Sequence, residues 1–405
     1  MNLLLITADD MSYSSMGLSG CEFPNITPTI DNIGSEGIFF TNAHATIGLC
    51  QPARSAVMTG LYPWNNGALG FEPIYGHVTT MVELLKSCGY KTGIIGKPNH
   101  LTPHYKFPWD QKPNIRWTNK LGKDRNFYYR WCSDFFKCKS PFFLMSNSHF
   151  PHRAYPETTR YNPEEVRVPS FLPDTREVRN EISQYYEGVT QCDLMVESII
   201  LALEESGHKN DTLVVFTSDH GMSFPFIKAN CYHFSSKIPL IMNFPGALRT
   251  TNKNMISSID IMPTVLQIMG IECPDVDGTP WGKDIVYTCL CKNYTGVEYE
   301  TRAIHDNQYC YIKNMWHDGQ KQFHEDGSLD GQPSVDSIKF HTPETYHRLR
   351  YRSSEEFYKI DDNFSVEQFA QNQKLPEYKL KMLHMAKISK DKKMLDHEMN
   401  FVKLL

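Results

Sequence analysis

Apolar runs of strand length recur along the first two thirds of the chain, and polar residues stand at or just beyond their ends. In the first run the hydrophobicity is continuous rather than alternating, which predicts a strand buried on both faces of a parallel sheet. The predicted strands are residues 2–8, 38–43, 91–96, 141–146, 212–218 and 237–242.

The segments between these runs predict helices. Residues 181–206 carry apolar side chains at helical spacing, including Val189, Val196 and Leu203, and Gly207 follows them. Other segments end at a glycine, which is typical of a helix C-terminus. Strands alternating with helices favour an α/β fold with a central, mostly parallel sheet. The predicted helices are residues 29–37, 52–59, 80–88, 181–206 and 260–269.

The composition changes beyond about residue 290, where short runs at 303–304 and 309–313 predict antiparallel strands. With 405 residues the chain is long enough for a large and a small domain, and we predict a division into residues 1–290 and 291–405. Residues 103–140 lack a clear period and predict a long insertion near the site. The lysine-rich tail, 379–405, predicts a solvated helix.

Polar residues whose side chains can act in catalysis or bind ligands stand where the predicted strands end. Ligands bind at the carboxyl edge of open α/β sheets, so we expect these residues to form one site. Asp9 and Asp10 are adjacent and repel each other unless a cation separates them, although a turn or a helix cap is the alternative for this pair alone. The other members are Lys97, His100, His149, His152, Asp219, His220 and Lys228.

Cys50 lies at the centre of this pattern, in the stretch Cys-Gln-Pro-Ala-Arg. Pro52 predicts a helix that starts there and runs to Thr59, with Cys50 in the preceding loop. A helix N-terminus favours developing negative charge, and Arg54 lies near enough to hold position 50 or an anion. Taken alone, the stretch favours a buried core cysteine beside a proline that starts a helix.

Charge and cysteine content narrow the class of protein. The net charge of −5 gives no global basic surface for nucleic acid, and no apolar run is long enough to span a membrane. Eleven cysteines without paired zinc spacing do not define a disulfide framework. Because the first predicted strand begins at Asn2, we expect no signal sequence in these residues.

The pentad that starts at Cys50, together with Thr59 and Gly60, resembles the sulfatase signature, in which the cysteine is oxidised to formylglycine. Within that family the chain is most similar to the N-sulfoglucosamine sulfohydrolase group and next to iduronate-2-sulfatase. The resemblance implies an alkaline-phosphatase-like fold, a sulfated sugar substrate and one divalent cation, by expectation Ca²⁺. It also implies a formylglycine-generating enzyme as partner during maturation, and a secretory or lysosomal location, or a periplasmic or cytoplasmic one in bacteria. A homodimer is a further prediction.

The resemblance also implies a role for each candidate residue. Asp9, Asp10, Asp219 and His220 would bind the cation together with the oxygen at position 50, which Arg54 would also hold. Lys97 and Lys228 would neutralise the sulfonyl oxygens. His152 or His149 would protonate the leaving group, and His100, preferred over His104 by its spacing from Lys97, would help to expel sulfate.

Three alternatives stay open at this point. The substrate could carry an O-sulfate, as in iduronate-2-sulfatase, rather than the N-sulfate of glucosamine in heparan-type chains. A metal-dependent phosphohydrolase of the same broad fold is a second alternative, although such relatives use serine or threonine where this chain has Cys50. A binding protein that has lost the chemistry is the third, but no site residue is missing.

Overall fold

A computed structural model describes residues 1–113, 120–324, 329–360 and 373–404 of the chain, and its strands form one seven-stranded and one four-stranded sheet. The strands are β1 (Asn2–Asp9), β2 (Ile38–His44), β3 (Lys91–Ile95), β4 (Phe142–Pro151), β5 (Thr212–Ser218), β6 (Lys237–Asn243), β7 (Thr250–Ser257), β8 (Val286–Lys292), β9 (Glu298–His305), β10 (Tyr309–Asn314) and β11 (Glu355–Lys359). The helices are α1 (Pro28–Glu36), α2 (Cys50–Thr59), α3 (Pro63–Asn66), α4 (Met81–Ser87), α5 (Arg125–Phe135), α6 (Arg176–Glu205), α7 (His233–Ser236), α8 (Ile261–Met269), α9 (Pro333–His341), α10 (Pro343–Arg350), α11 (Leu375–Ile388) and α12 (Lys392–Leu404).

The large sheet has the order β3-β4-β1-β5-β6-β2-β7. β1 pairs in parallel with both β4 and β5, and β3 pairs in parallel with β4. Only β6 runs against its neighbours β5 and β2 in this sheet. The predicted α/β class with a mostly parallel sheet is therefore confirmed, and the carboxyl ends of β1, β3, β4 and β5 meet at one edge.

β1 lies at the centre of this sheet and is buried along its whole length. Leu4 and Ile6 pack into one core with α1, α5 and α6, while Leu3 and Leu5 pack into a second core with α4 and α8. Alternate side chains of a strand point to opposite faces, so an uninterrupted apolar run is what a sheet covered on both faces requires.

One predicted detail is wrong, and one strand was not predicted. Cys50 is not in a loop, because α2 starts at Cys50 itself and Pro52 occupies its first turn. The first N–H groups of a helix have no intrahelical partner, so a proline is tolerated there and does not mark the first residue. β7 was not predicted, because it is a polar strand at the edge of the sheet with most of its first five side chains exposed.

Residues 103–140 form more than an insertion. Within this segment α5 packs against α6 and buries Tyr128, Cys132 and Phe135 at helical spacing. Residues 114–119 lie outside the described part of the chain. The helix was missed because aromatic residues and charges surround its short apolar stripe.

The second sheet is antiparallel, as predicted, with the order β11-β10-β9-β8. It starts at Val286, so a boundary at residue 290 would cut β8; the division into two domains stays a prediction. The tail is not a single solvated helix, since α11 buries Tyr378, Met382 and Met385 against this sheet. No helix in the described ranges is long and apolar enough to cross a bilayer.

Candidate active site

The carboxyl edge of the large sheet brings most of the predicted site residues together. Asp9 is the last residue of β1, and Asp219 directly follows β5. His149 lies two residues before the end of β4, and Lys97 lies two residues beyond β3. Cys50 reaches the same place from the first residue of α2. Parallel strand order therefore converts distant sequence positions into one cluster, as the sequence predicted.

The predicted cation ligands are neighbours in the structure. One donor atom each from Asp10, Cys50 and His220 lies within 4.8 Å of the others, and the same holds for Asp9, Cys50 and Asp219. All five residues are buried. Cys50 belongs to both groups, so the two groups form one continuous donor set.

His220 presents a defined nitrogen to this set. Its Nδ1 lies 3.0 Å from the carbonyl oxygen of Gly221, which can only accept a hydrogen bond, so Nδ1 carries the proton. In the neutral ring Nε2 then holds the lone pair; it lies 3.2 Å from the Cys50 sulfur and 3.4 Å from Asp10 Oδ1. A neutral imidazole with its second nitrogen bound to a carbonyl is the usual arrangement of a metal-binding histidine.

Three buried cations contact the three carboxylates. Arg54 donates to Asp219 at 2.8 Å and to Asp9 at 3.3 Å. Lys228 Nζ lies 2.9 Å from Asp10, and Lys97 forms an ion pair with Asp9. The formal charges of these six groups cancel, so an added divalent cation would leave the cluster with a net charge of about +2.

These contacts change the ionisation of the cluster. Burial opposes ionisation of Asp9 and Asp10, but the surrounding cations outweigh it: Lys97 holds the pKa of Asp9 well below its usual range, and Lys228 lowers that of Asp10 to about 2. Burial, with the three carboxylates, raises the pKa of the Cys50 thiol well above its ordinary value. Both adjacent carboxylates are thus charged at neutral pH.

The three candidate histidines differ in their surroundings. His152 is partly exposed; its Nδ1 faces the carbonyl oxygen of Arg153 at 2.6 Å, which directs Nε2 toward Asp10, 3.9 Å away. His149 is buried, neither ring nitrogen has a hydrogen-bond partner among the described residues, and burial with the charge of Lys97 lowers its pKa to about 3.

His100 lies at the rim of the cluster. Its ring meets Phe71 edge-on at 6.1 Å, and its buried Nδ1 has no hydrogen-bond partner within the described ranges. Burial, with the charges of Lys97 and Arg54, lowers its pKa well below the ordinary value. No described hydrogen bond joins it to Cys50, which instead contacts His220.

Backbone conformation marks two residues of the cluster. Asp10 has φ of 66° and Lys97 has φ of 50°, both in the left-handed region that non-glycine residues seldom occupy. Asp10 directly follows β1, Lys97 lies two residues beyond β3, and each pairs with an oppositely charged buried side chain. Such conformations cost of order 1–3 kcal/mol each and persist where surrounding contacts hold them, commonly at functional sites.

The sequence did not single out three residues that support the cluster. Thr7 and Asn147 hold Arg54 Nη1, at 3.1 and 2.5 Å. Lys123 donates to the carbonyl oxygens of His152 and Ala154, at 3.1 and 2.7 Å. Polar residues inside the apolar β1 and β4 runs were a usable signal for the first two. No sequence signal pointed to Lys123, because it lies within residues 103–140, where the apolar residues follow no clear period.

Comparison with known proteins gives the cluster a context. A sequence profile described as Sulfatase matches residues 1–271. The human N-sulphoglucosamine sulphohydrolase is 29% identical over 311 residues, which are 67% of this chain and 61% of that protein. An ulvan-active sulfatase of Formosa agariphila is 26% identical over 407 residues, 93% of this chain and 77% of that protein. A solved 2-O GAG sulfatase has a TM-score of 0.69 at 17% identity and covers 100% of this chain and 94% of that chain.

These matches differ in what they establish. The structural match, at 17% identity, shows that this chain has the alkaline-phosphatase-like fold of solved sulfatases. The match to the human protein spans less than two thirds of that protein's length. The profile covers two thirds of this chain, and all the candidate residues from Asp9 to Lys228 lie inside it. The chain therefore belongs to the sulfatase family.

Proposed function

We propose that this protein hydrolyses a sulfated sugar and releases sulfate, with position 50 converted to formylglycine and one divalent cation beside it. The observation that carries the proposal is the position of Cys50: it is the first residue of α2 and lies within 4.8 Å of donor atoms from two pairs of predicted cation ligands. The α2 N-terminus favours negative charge that develops at this point.

The donor set fits a hard divalent cation. Three buried carboxylates provide oxygen ligands, and His220 adds the Nε2 lone pair. Such an oxygen-rich set suits Ca²⁺ or Mg²⁺ better than a softer metal, and we propose Ca²⁺. Asp9, Asp10, Asp219 and His220 would hold the ion, which when bound supplies positive charge to polarise the sulfonyl group.

Charge supports an anionic substrate. The three carboxylates are balanced by Arg54, Lys97 and Lys228, so a bound divalent cation gives the cluster an excess of positive charge. A sulfo group carries a negative charge that increases on its oxygens as the bond to the sugar breaks. Lys97 and Lys228 are fixed by ion pairs before substrate binds, and preorganised cations of this kind stabilise such a transition state.

The proposed reaction needs a nucleophile at position 50 other than the cysteine thiol. Formylglycine supplies a hydrated aldehyde whose hydroxyl attacks sulfur, and a formylglycine-generating enzyme would install it during maturation. Arg54 lies one helical turn beyond position 50 and is held by Thr7, Asn147 and Asp219, so it can orient the new oxygen.

His152 is the favoured proton donor to the leaving group. The Arg153 carbonyl fixes its Nδ1–H, so Nε2 faces the cluster, and its partial exposure gives access to protons from solvent. His149 lacks such a fixed orientation and is driven toward the neutral form by burial. His100 remains the proposed residue for expulsion of sulfate, because burial and the charges of Lys97 and Arg54 lower its pKa and keep its ring in the neutral form, which can accept a proton.

We propose that the enzyme removes the N-sulfo group of a terminal glucosamine. The name of the human relative supports this, as does the Pro151, His152 and Arg153 sequence on which the resemblance rests. An O-sulfated sugar is the second candidate, favoured by the spacing between Lys97 and His100.

A substrate panel tests the proposal. Protein made together with a formylglycine-generating enzyme is incubated with N-sulfoglucosamine, O-sulfated monosaccharides and a phosphate monoester, and the free anions are measured by ion chromatography. We expect sulfate from a sulfated sugar, loss of release in Cys50→Ser, and unchanged release in Cys88→Ser, whose cysteine is exposed and outside the cluster. Cleavage of O-sulfated sugars alone would identify an O-sulfated sugar, the second candidate, as the substrate. Release of phosphate without sulfate would overturn the proposal.

A further inference from the structure

A second group of potential metal ligands contains only histidines. One ring nitrogen from each of His44, His233 and His305 lies within 4.8 Å of the others. His44 ends β2 of the large sheet, His233 starts α7, and His305 ends β9 of the small sheet. This cluster shares no residue with the proposed sulfatase site, and nothing in the sulfatase chemistry requires it.

The spacing of the three rings is that of imidazoles around one ion. The ring centroids are 4.9 Å apart for His44 and His233, 5.2 Å for His44 and His305, and 6.0 Å for His233 and His305. With metal–nitrogen distances of about 2.1 Å, imidazoles at tetrahedral angles around one zinc ion have centroids about 5 Å apart. The widest pair, His233 and His305, exceeds this value by about 1 Å.

Each histidine also has a nitrogen that lacks a partner. His44 Nε2, His233 Nδ1 and His305 Nδ1 are buried atoms with no hydrogen-bond partner among the described residues. A buried polar atom without a partner is unfavourable, and such atoms call for an explanation such as an ion. Three of them in one cluster is the observation that points to a ligand.

The remaining nitrogens of the two fully buried rings are held by hydroxyl groups. His44 Nδ1 lies 2.8 Å from Ser236 Oγ, and His305 Nε2 lies 2.9 Å from Thr288 Oγ1. These bonds orient the rings so that the opposite nitrogens stay available, as the outer partners of metal-binding histidines do. Burial lowers the pKa of all three rings, to about 3 for His305, which keeps them in the neutral form that binds metals.

We propose that His44, His233 and His305 bind one transition-metal ion, with Zn²⁺ as the expected metal. Three imidazoles without a carboxylate suit zinc or another nitrogen-preferring ion and not Ca²⁺ or Mg²⁺. Because the three ligands come from β2, α7 and β9, the ion would join the large sheet to the small one. Its fourth position is left to water or a small ligand.

Zinc binding by the purified full-length protein tests the proposal. After removal of metals with a chelator, Zn²⁺ is titrated calorimetrically in excess Ca²⁺, which occupies the proposed sulfatase cation site. We expect one Zn²⁺ per chain and affinity weakened by about 100-fold or more in His233→Ala, whose ring is the least buried of the three. His347→Ala removes an exposed histidine and should bind Zn²⁺ as the unchanged protein does.

Two further measurements protect the result against misfolding of the variant. Co²⁺ in place of Zn²⁺ should give the intense visible absorption of a four-coordinate nitrogen site, and crystals of the unchanged protein soaked in ZnCl₂ should show an anomalous peak between the three rings. Absence of Zn²⁺ binding by the unchanged protein, equal affinity in His233→Ala, or an anomalous peak only at the Asp9 cluster would each overturn the proposal. None of these outcomes depends on whether the protein releases sulfate.

Discussion

Lys228 offers a sharp test of the proposed electrostatics, because its single charge is buried against Asp10 at 2.9 Å. Lys228→Met keeps a side chain of similar length and removes the charge, so the cluster with a divalent cation falls from about +2 to about +1. Two unit charges about 4 Å apart interact by about 4 kcal/mol at an effective dielectric constant of about 20. Loss of one preorganised group of this kind typically costs about 100-fold to 1,000-fold in kcat.

The kinetic pattern matters as much as the size of the effect. Lys228 is held in place before the sulfo group arrives, so it should act mainly on the charge that develops during reaction. We therefore expect kcat and kcat/KM to fall together by about 100-fold, measured by initial rates of sulfate release across substrate concentrations. Lys209→Met, which removes an exposed lysine, should change neither parameter. A raised KM with unchanged kcat, or a loss below about threefold, would refute the reasoning.

Protein stability provides an internal check on this variant. Without Lys228 the buried Asp10 loses its closest cation, and breaking a buried ion pair costs about 3–5 kcal/mol. A divalent cation beside Asp10 would replace the missing charge. The melting temperature of Lys228→Met should thus fall more in a chelator than in Ca²⁺, whereas equal losses in both would argue against a cation next to Asp10.

Three further predictions follow from the structure. Removal of divalent cations should lower the melting temperature and abolish sulfate release, and Ca²⁺ should restore both; full activity after verified removal would contradict the cation site. Burial raises the pKa of Asp193 to about 6, above about 3.9 in an unfolded chain, so its contribution to stability increases as the pH falls through that window. As the pH is lowered from 7 to 4, the melting temperature of the unchanged protein should therefore rise relative to that of Asp193→Asn. A difference that stays constant over this range would refute the raised pKa of Asp193. Phe135→Ala should lower the free energy of unfolding by about 3–5 kcal/mol, and Arg130→Ala on the exposed face of α5 by less than about 0.5 kcal/mol, both measured in denaturant. Equal effects would mean that α5 is not part of the core.

The sequence predicted the positions of those site residues that stand at the ends of strands in the parallel sheet. Asp9 and Asp219 end buried strands with continuous apolar runs, and parallel pairing alone brings such ends together. The same logic located Lys97 and His149. It failed for β7, whose edge position requires no apolar pattern, and for the helix start at Cys50, because Pro52 is allowed anywhere in a first turn.

Long-range contacts explain what no local pattern could have predicted. Asn147 supports Arg54 across 93 residues, and Lys123 reaches the site from the segment without a period. The cluster of His44, His233 and His305 joins three elements that are far apart in the sequence, and none of the three has a motif spacing to another. Such sets become visible only when the pairing of the two sheets is known.

The chemical state of position 50 tests the central claim most directly. Peptide mass spectrometry of protein made with and without a formylglycine-generating enzyme gives the fraction of Cys50 converted to the aldehyde, and sulfate release is measured on the same samples. The account predicts that turnover rises in proportion to the converted fraction and is absent when position 50 is entirely thiol. Full turnover by protein with unmodified Cys50 would contradict it.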